Sequence, residues 1–376
     1  MREATIAVLG AGPSGLATAA CLQGRGLSPV VLERADRVAP SWRNHYRRLH
    51  LHTVKQHSSL PGLPWPDAVP TYPARQEVVD YLEDYARHFG ITPRFGTEVT
   101  QVRRVPAGWE VKHTHGLTEA RAVVVCTGYN RVPLRPTWPG QDTFPGEILH
   151  SGQYRDGAPF RGKRVLVVGA GNSGAEIALD LWESGATVAL CIRGPLHVVP
   201  RDVLGIPAQV TSLGLMQHLP PRLADRLSLA MLRLTVGDLS PWGIVRPEVG
   251  PISQVVRDKK IPLIDVGTVA LIRQGKIAVV PGIEAFTETG ARFVDGRELV
   301  LDAVILATGY RTGIEGFLED APQYLDPRGY PRPAVEPAAR AAGIFFVGYR
   351  NPLTGALHDI AREAQRVADT IAEAQR

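Results

Sequence analysis

The sequence has few cysteines and no long apolar run. Its three cysteines, Cys21, Cys126 and Cys191, are far apart and lie in apolar segments. This spacing excludes a disulfide framework and favours a reducing, cytoplasmic environment. The longest apolar stretches reach about ten residues, short of the roughly twenty that a membrane-spanning helix requires. The chain also enters an apolar strand pattern at Thr5, which leaves no room for a signal peptide. We therefore expect a cytoplasmic protein without an integral membrane span.

Blocks of like charge are also absent. The net charge is only +5, from 42 Lys and Arg against 37 Asp and Glu, and no basic run is interleaved with aromatic residues. This distribution argues against nucleic acid as a partner and is compatible with phosphate-bearing small ligands. With 376 residues, 44% hydrophobic and 21% charged, the composition is that of a globular chain long enough for two domains.

Two glycine-rich turns dominate what is present. Each follows a short apolar strand, Ile6–Leu9 or Arg164–Val168, and precedes a helical pattern. In such a turn the first glycine allows a tight bend, the second lets the backbone approach a diphosphate, and the third allows close helix–strand packing. The diphosphate then meets the free N–H groups of a helix N-terminus. The candidate cofactor-binding residues of the two turns are Gly10, Gly12, Pro13, Ser14 and Gly15, and Gly169, Gly171, Asn172, Ser173 and Gly174.

The residue after the second strand of each unit differs between the two units. Glu33, followed by Arg34, ends the strand of the first unit, whereas Arg193 ends that of the second. A carboxylate there accepts hydrogen bonds from ribose hydroxyls and repels a 2′-phosphate, while a guanidinium binds that phosphate. The sequence thus predicts FAD at the first site and NADPH at the second; a surface Glu and a solvated Arg are the alternatives.

Two similar strand-to-turn segments locate the predicted domain boundaries. They end in Thr127-Gly128 and Thr308-Gly309, which we also expect to lie at the cofactors. The pattern predicts an α/β fold with two Rossmann-like dinucleotide-binding domains, the NADPH domain being inserted into a split FAD domain. The FAD domain would comprise residues 1–159 and 303–376, and the NADPH domain residues 160–302.

Further segments carry a resemblance to a known family. Phe144 to Tyr154 matches the F-x-G-x-x-x-H-x-x-x-F/Y fingerprint of flavin-containing monooxygenases. Over nearly its whole length the chain resembles class B flavoprotein monooxygenases, and among them the YUCCA-type indole-3-pyruvate monooxygenases. The stretches that carry the closer resemblance are 60–73, 81–86, 167–174, 197–201, 265–268, 280–283 and 293–297.

The resemblance implies an activity. NADPH would reduce FAD, the reduced flavin would capture O2 as a C4a-(hydro)peroxyflavin, and this oxidant would convert an aromatic 2-oxo acid or related ketone. The protein would supply orientation and a dry pocket. Two alternatives remain from the sequence: oxygen transfer to a nucleophilic N or S, and an NADPH-dependent flavin reductase without oxygenation.

The resemblance also indicates candidate catalytic residues. Tyr46 to Lys55 matches a Y-x-x-L-x-x-N-x-x-K stretch that lies against the flavin in animal-type enzymes, and His52 occupies the Asn position. His52 and Lys55 are therefore candidate catalytic residues, and so is His150 of the fingerprint. Either histidine could instead have only a packing or hydrogen-bonding role. Trp42 is expected near the flavin or in the core. Arg201 is expected at an NADP phosphate or in a salt bridge.

Two helical patterns complete the prediction. The interrupted apolar segment from about 204 to 240 is expected to form amphipathic helices over the substrate cavity, or else a dimer or membrane-surface contact. A C-terminal helix is predicted from about Thr354-Gly355 by its apolar stripe, and the resemblance implies that its N-terminus is directed at the flavin. The histidine-rich loop from His45 to His57 shows no metal-ligand spacing, so no metal is expected. The oligomeric state is left as monomer or homodimer.

Overall fold

Two parallel β-sheets form the framework of the computed structural model, which describes residues 5–203, 205–214, 218–258, 261–332, 340–350, 352 and 354–375. The first sheet has four strands, in the order Pro29–Leu32, Ile6–Leu9, Ala122–Val125 and Ile344–Phe346. The second sheet has five, in the order Ile277–Val280, Thr187–Cys191, Arg164–Val168, Ala303–Leu306 and Glu147–His150. Their central strands are apolar runs buried on both faces, as parallel sheets require. The predicted α/β class is confirmed.

Each sheet is covered by helices on one face and by a three-stranded antiparallel sheet on the other. Alternate residues of strand Ile6–Leu9 belong to two different apolar clusters, and those of Arg164–Val168 do the same. Helices Pro13–Gln23 and Ala356–Ala374 cover the first sheet, and helices Asn172–Glu183 and Thr268–Arg273 the second. The antiparallel sheets are Val99–Val105, Gly108–His113 and Gly116–Ala120, and Ile283–Thr287, Gly290–Phe293 and Glu298–Val300.

The remaining elements are short or connect the two units. The other α-helices are Pro40–Arg43, Arg75–His88, Ala208–Gly214, Pro221–Thr235 and Pro251–Asp258. The 3₁₀ turns are Lys55–His57, Gln141–Thr143, Ala158–Phe160, Ser240–Trp242, Ile314–Gly316 and Ala321–Gln323. Three strand pairs complete the fold: Val198–Pro200 with Leu263–Asp265, Asp202–Val203 with Ile206–Pro207, and Val132–Pro133 with Tyr310–Arg311.

The membership of two strands in the second sheet differs from the predicted domain boundaries, which stay a prediction. Strands Glu147–His150 and Ala303–Leu306, placed by the sequence in the residues of the FAD domain, hydrogen-bond within the second sheet. By sheet membership the second unit therefore extends beyond both predicted limits, 160 and 302. The local sequence shows that each segment is a buried strand, but the sheet that a strand joins depends on partners far away in the chain. The two connections between the units pair with each other, as strands Val132–Pro133 and Tyr310–Arg311.

The helical segment at about 204–240 lies only partly within the described residues, because residues 204 and 215–217 fall outside them. Helix Pro221–Thr235 turns Ser228, Met231 and Leu232 to a cavity and leaves Leu223, Leu227 and Leu234 exposed. The C-terminal helix begins at Ala356, next to the predicted start. No helix in the described ranges is long and apolar enough to cross a bilayer.

Candidate active site

A cavity of about 860 Å³ lies where the two units meet. Both glycine turns contribute to its wall, as does the N-terminus of the C-terminal helix. Ligands of open parallel sheets bind at the carboxyl ends of the strands, which is where both turns lie. Of the residues predicted for the site, those in the wall are Gly10, Gly12, Pro13, Ser14, Glu33, Arg34, Trp42, His52, Thr127, Gly128, His150, Asn172, Ser173 and Arg201. Those outside the wall are Gly15, Lys55, Gly169, Gly171, Gly174, Arg193, Thr308 and Gly309.

The two glycine turns have nearly the same geometry. A Cβ atom on Gly15 would lie 1.8 Å from the carbonyl oxygen of Gly10, and one on Gly174 would lie 1.8 Å from that of Gly169. These third glycines pack against their own turns and do not face the cavity. Gly12 and Gly171 have open space at the Cβ position. The middle glycine of each turn therefore leaves room for a diphosphate to approach the backbone.

Glu33 and Arg193 lie in different environments. Glu33 is 5% exposed, and its two carboxylate oxygens accept the N–H groups of Ala11 and Ala35 at 2.7 and 2.8 Å. The carboxylate thus holds the first glycine turn in place while it lines the cavity. Arg193 is exposed and makes no hydrogen bond or ion pair with the described part of the chain. Its guanidinium is free for a phosphate outside the cavity wall.

His52 reaches the wall beside a carboxylate of the other unit. Its Nε2 atom lies 2.7 Å from Oε1 of Glu176, and the two side chains are 17% and 4% exposed. Glu176 belongs to the helix that follows the second glycine turn. Tyr46 lies close by, and burial together with the negative charge of Glu176 holds the pKa of its hydroxyl well above the ordinary value. The tyrosine is therefore a neutral group next to the pair.

His150 lines the cavity, but both of its ring nitrogens are engaged by the backbone. Nδ1 accepts the N–H of Gly152 at 3.1 Å, so that Nε2 carries the proton donated to the carbonyl of Gly309, also at 3.1 Å. Burial lowers the pKa of the imidazole and keeps it neutral. These contacts fit the hydrogen-bonding role that the sequence left open as the alternative to catalysis: His150 joins the fingerprint strand to the second Thr-Gly turn.

Lys55 is also engaged by the backbone, and its catalytic role stays a prediction. Its Nζ atom donates to the carbonyls of Pro66, Asp67 and Val69, at 3.1, 2.8 and 2.5 Å, outside the cavity wall. Three carbonyl acceptors use all three ammonium protons. The lysine therefore folds the loop that follows His52. Sequence spacing alone gave no sign of this, because the acceptors are backbone atoms more than ten residues away.

Each of the remaining predicted residues lies either in the cavity wall or in the connection between the two units. Trp42 is half-buried in the wall and packs on the first core. Thr127 bonds the hydroxyl of Tyr349 at 2.8 Å, and Thr308 donates to the carbonyl of Leu134 at 2.5 Å. Arg201 lies in the wall, 4.0 Å above the ring of Tyr72. Thr308 and Gly309 therefore belong to the connection between the units.

The sequence analysis missed Glu176 and Gln209. Glu176 carried a usable signal, because an acidic residue on a helix whose neighbours Ala175 and Ile177 are apolar stands out as a buried charge. Gln209 gave none. It is 5% exposed, accepts the N–H of Val54 at 2.7 Å and donates to the carbonyl of Thr354 at 2.6 Å. These contacts come entirely from the tertiary structure.

Comparison with known proteins identifies the family. The model of the flavin-binding monooxygenase-like family matches residues 3–325. The chain is 41% identical over 347 residues to indole-3-pyruvate monooxygenase YUCCA1 of Oryza sativa subsp. japonica, covering 91% of this chain and 86% of that protein. The chain belongs to the flavin-binding monooxygenase family. Its similarity to several YUCCA proteins at about 40% identity makes it a flavin monooxygenase of the YUCCA type.

Solved structures agree in fold. The flavin-containing monooxygenase from Stenotrophomonas maltophilia is 26% identical, with a TM-score of 0.74 and complete coverage of both chains. An oxidized steroid monooxygenase bound to NADP has a TM-score of 0.76 over 98% of this chain and 85% of that one, at 21% identity. The latter shows the shared fold alone.

As a flavin-dependent monooxygenase, the enzyme uses FAD and NADPH, and the geometry of its turns fits both. Each turn presents free amides at a helix N-terminus, with no side chain at the middle glycine. Gly355, Ala356 and Leu357 bring the N-terminus of the C-terminal helix to the same cavity. A helix N-terminus there stabilises negative charge on a bound ring. Among the described residues, no group of three or more His, Cys, Asp or Glu is arranged to hold a metal.

Proposed function

We propose that this enzyme oxidatively decarboxylates an aromatic 2-oxo acid, with FAD bound at the first glycine turn and NADPH at the second. The balanced reaction consumes one 2-oxo acid, O2, NADPH and H⁺. It yields the carboxylic acid shortened by one carbon, CO2, NADP⁺ and H2O. Bound FAD, once reduced by NADPH, supplies the activated oxygen. The protein binds both partners, excludes water and handles the proton.

The observation that carries the proposal is the position of His52. It stands where animal-type flavin monooxygenases have Asn, and it lines the cavity shared by both glycine turns. An imidazole can accept and return a proton near neutral pH, which an amide cannot. Attack on a ketone carbon needs an anionic oxidant, so a proton acceptor in the cavity suits this reaction. The YUCCA relatives, named as indole-3-pyruvate monooxygenases, support the same substrate class.

The cavity wall also suits an aromatic acid. The second unit contributes apolar side chains that can cover a planar ring: Val203, Met231, Leu232, Ile252 and Ile264. Arg155 and Arg201 in the same wall provide positive charge for anionic groups. Arg201 also pairs with Asp202 at 3.3 Å. Arg47 and Arg48 are not in the wall, and they form ion pairs with Asp156 and Glu183 respectively.

The test is product analysis under ¹⁸O2. Purified holoenzyme is given NADPH and either indole-3-pyruvate or phenylpyruvate, and the products and NADPH use are measured. We expect the shortened acid with one ¹⁸O atom in its carboxylate, at close to one NADPH per product. A matched reaction supplies an aryl methyl sulfide. Sulfoxide formation without any shortened acid would show instead that the enzyme transfers oxygen to sulfur or nitrogen. NADPH oxidation with peroxide as the only product, whether or not a 2-oxo acid is present, would favour a reductase.

The variant His52→Asn tests whether His52 takes part in acid formation. We expect acid formation to fall roughly 100-fold, the size of a typical proton-transfer contribution, while flavin content stays unchanged. His50→Asn, on an exposed side chain of the same loop outside the cavity wall, serves as the matched control. Equal acid formation by His52→Asn and the unmodified enzyme would remove His52 from the chemistry.

A further inference from the structure

The loop that carries His52 is held by the second unit. Tyr46 is buried in the apolar cluster of the second unit, with its ring centroid 6.4 Å from that of Tyr154. At the other end of the loop, Gln209 accepts the N–H of Val54 at 2.7 Å. The segment from Tyr46 to Val54 therefore belongs to the first unit by sequence but is positioned by side chains of the second.

The His52 side chain of this loop lies against the carboxylate of Glu176, which belongs to helix Asn172–Glu183 of the second unit. Oε1 lies 2.7 Å from Nε2, and the carboxylate side chain is 4% exposed. Glu176 lies one helical turn beyond Asn172 and Ser173, which line the cavity. The helix that presents its N-terminus at the second cofactor turn thus also presents a carboxylate to the candidate catalytic histidine.

The contact is close but oblique. Among the described residues, Nδ1 and Nε2 of His52 and Oε1 of Glu176 have no aligned hydrogen-bond partner, although all three atoms are buried. A buried polar atom left unpaired costs about 1–3 kcal/mol. A small rotation of the imidazole aligns Nε2–H with Oε1 and removes two of these unpaired atoms. Each is thus the natural partner of the other.

We propose that Glu176 is the positioning residue for His52. The carboxylate keeps a proton on Nε2 and leaves Nδ1 as the nitrogen that accepts a proton during the reaction. When Nδ1 takes that proton, the positive imidazolium lies against the negative carboxylate, as in other carboxylate–histidine pairs. The inference rests on the proposed function in giving His52 a proton-transfer role. The tautomer that it assigns to His52 does not depend on the substrate.

The experiment is ¹⁵N NMR of histidine-labelled holoenzyme, with the His52 signals assigned from His52→Asn. In the unmodified enzyme we expect Nε2 at the shift of a protonated nitrogen and Nδ1 at that of a bare nitrogen. In Glu176→Gln the amide can donate as well as accept, so the two shifts move towards each other. Asp180→Asn is the matched control: Asp180 lies one turn further along the same helix and accepts the Tyr154 hydroxyl at 2.5 Å, outside the cavity.

Turnover adds a second readout. We expect kcat for acid formation to fall roughly tenfold in Glu176→Gln, the size of effect seen when a residue that orients a functional side chain by a hydrogen bond is replaced. The rate of flavin reduction by NADPH should not change. Asp180→Asn should leave both quantities, and the His52 shifts, as they are.

Failure of the inference can be distinguished from failure of the proposed function. Protonation of Nδ1 in the unmodified enzyme, or identical His52 shifts in Glu176→Gln, would overturn the role of Glu176 even if acid is formed. The first of these results does not depend on Glu176→Gln, so it holds even if that variant does not fold. If the expected shifts are seen but neither the unmodified enzyme nor its variants form acid, the result supports the Glu176–His52 pair and overturns the substrate class.

Discussion

The two nucleotide units of this chain are built alike but differ in what surrounds their glycine turns. In both, the third glycine would place a Cβ atom 1.8 Å from the carbonyl of the first. Both parallel sheets lie between helices and an antiparallel sheet. The backbone of a dinucleotide turn is thus fixed by close packing, and two separate stretches of the chain that differ only at Pro13 and Asn172 satisfy it in the same way.

The difference lies in the charged side chains. In the first unit the buried Glu33 accepts a backbone N–H of its own turn. In the second unit Asn172 of the turn accepts the N–H of Ile264 at 2.8 Å. Arg193, the counterpart of Glu33, is exposed. A cofactor held permanently suits a buried, pre-formed site. One that must enter and leave suits an exposed charge that acts only when phosphate arrives.

The largest expected effect comes from filling the third glycine of each turn. Gly15→Ala should lower the free energy of unfolding by about 3 kcal/mol, because the clash is with backbone and cannot be relieved by a side-chain rotation. The purified Gly15→Ala protein should also lack FAD. Gly174→Ala should retain FAD but lose NADP⁺ affinity. Flavin absorbance per protein and NADP⁺ titration measure the two. Gly316→Ala, with open space at Cβ, is the control. Loss of flavin in Gly174→Ala alone would reverse the assignment of the two sites.

Next in size is an acid-dependent loss of stability that originates in the first unit. Burial, with the positive charges of Arg155 and Arg75, lowers the pKa of His45 to about 4. The unfolded state, with a pKa near 6.5, binds the proton first. The stabilisation is therefore complete above about pH 6.5 and is lost as the pH falls towards 4, by about 3 kcal/mol at most.

Denaturant unfolding measured between pH 7 and pH 4 tests the role of His45. His45→Gln should flatten the dependence of the unfolding free energy on pH. His50→Gln, on an exposed side chain of the same loop, should not. An unchanged slope in His45→Gln would assign the acid sensitivity to other groups.

Nucleotide selectivity tests the second unit. Arg193→Ala should raise the Kd for NADP⁺ by roughly 10- to 100-fold, the equivalent of about 1.5–3 kcal/mol for hydrogen bonds to a charged group. NAD⁺ binding should be unaffected. Fluorescence titration with both nucleotides measures this. Arg201→Ala is the comparison: if it, rather than Arg193→Ala, removes the preference for NADP⁺, Arg201 binds the 2′-phosphate.

The smallest effect is expected at Glu33. In Glu33→Gln one oxygen accepts as before, but the amide nitrogen cannot accept the second backbone N–H, at a cost of about 1–2 kcal/mol. The Kd for FAD should rise roughly tenfold, because the turn that receives the cofactor is held less firmly. Equilibrium dialysis of the holoenzyme measures it, with exposed Glu147→Gln as the control. An unchanged FAD Kd would mean that the turn holds its shape without the carboxylate.

Much of the fold and part of the site could be predicted from the sequence. The apolar runs before Gly10 and Gly169 predict buried strands, and the glycine spacing predicts the turns, because both are local requirements of backbone geometry. The start of the C-terminal helix was also predicted, within two residues. The sheet that Glu147–His150 and Ala303–Leu306 join could not be predicted, because their sequences indicate a buried strand in any sheet. The contacts of Lys55 and His150 could not be predicted, because their partners are backbone N–H and carbonyl groups whose positions depend on how the chain folds.

What the sequence by itself determined is the family, the two glycine turns and the contrast between Glu33 and Arg193, since each depends on residues close together in the chain. The tertiary structure alone decided the surroundings of His52. Glu176 lies 2.7 Å from His52, although more than a hundred residues separate the two in the sequence. Gln209 connects Val54 to Thr354 across a still longer separation. Such contacts depend on how two separately folded sheets pack together, and no local pattern records that packing.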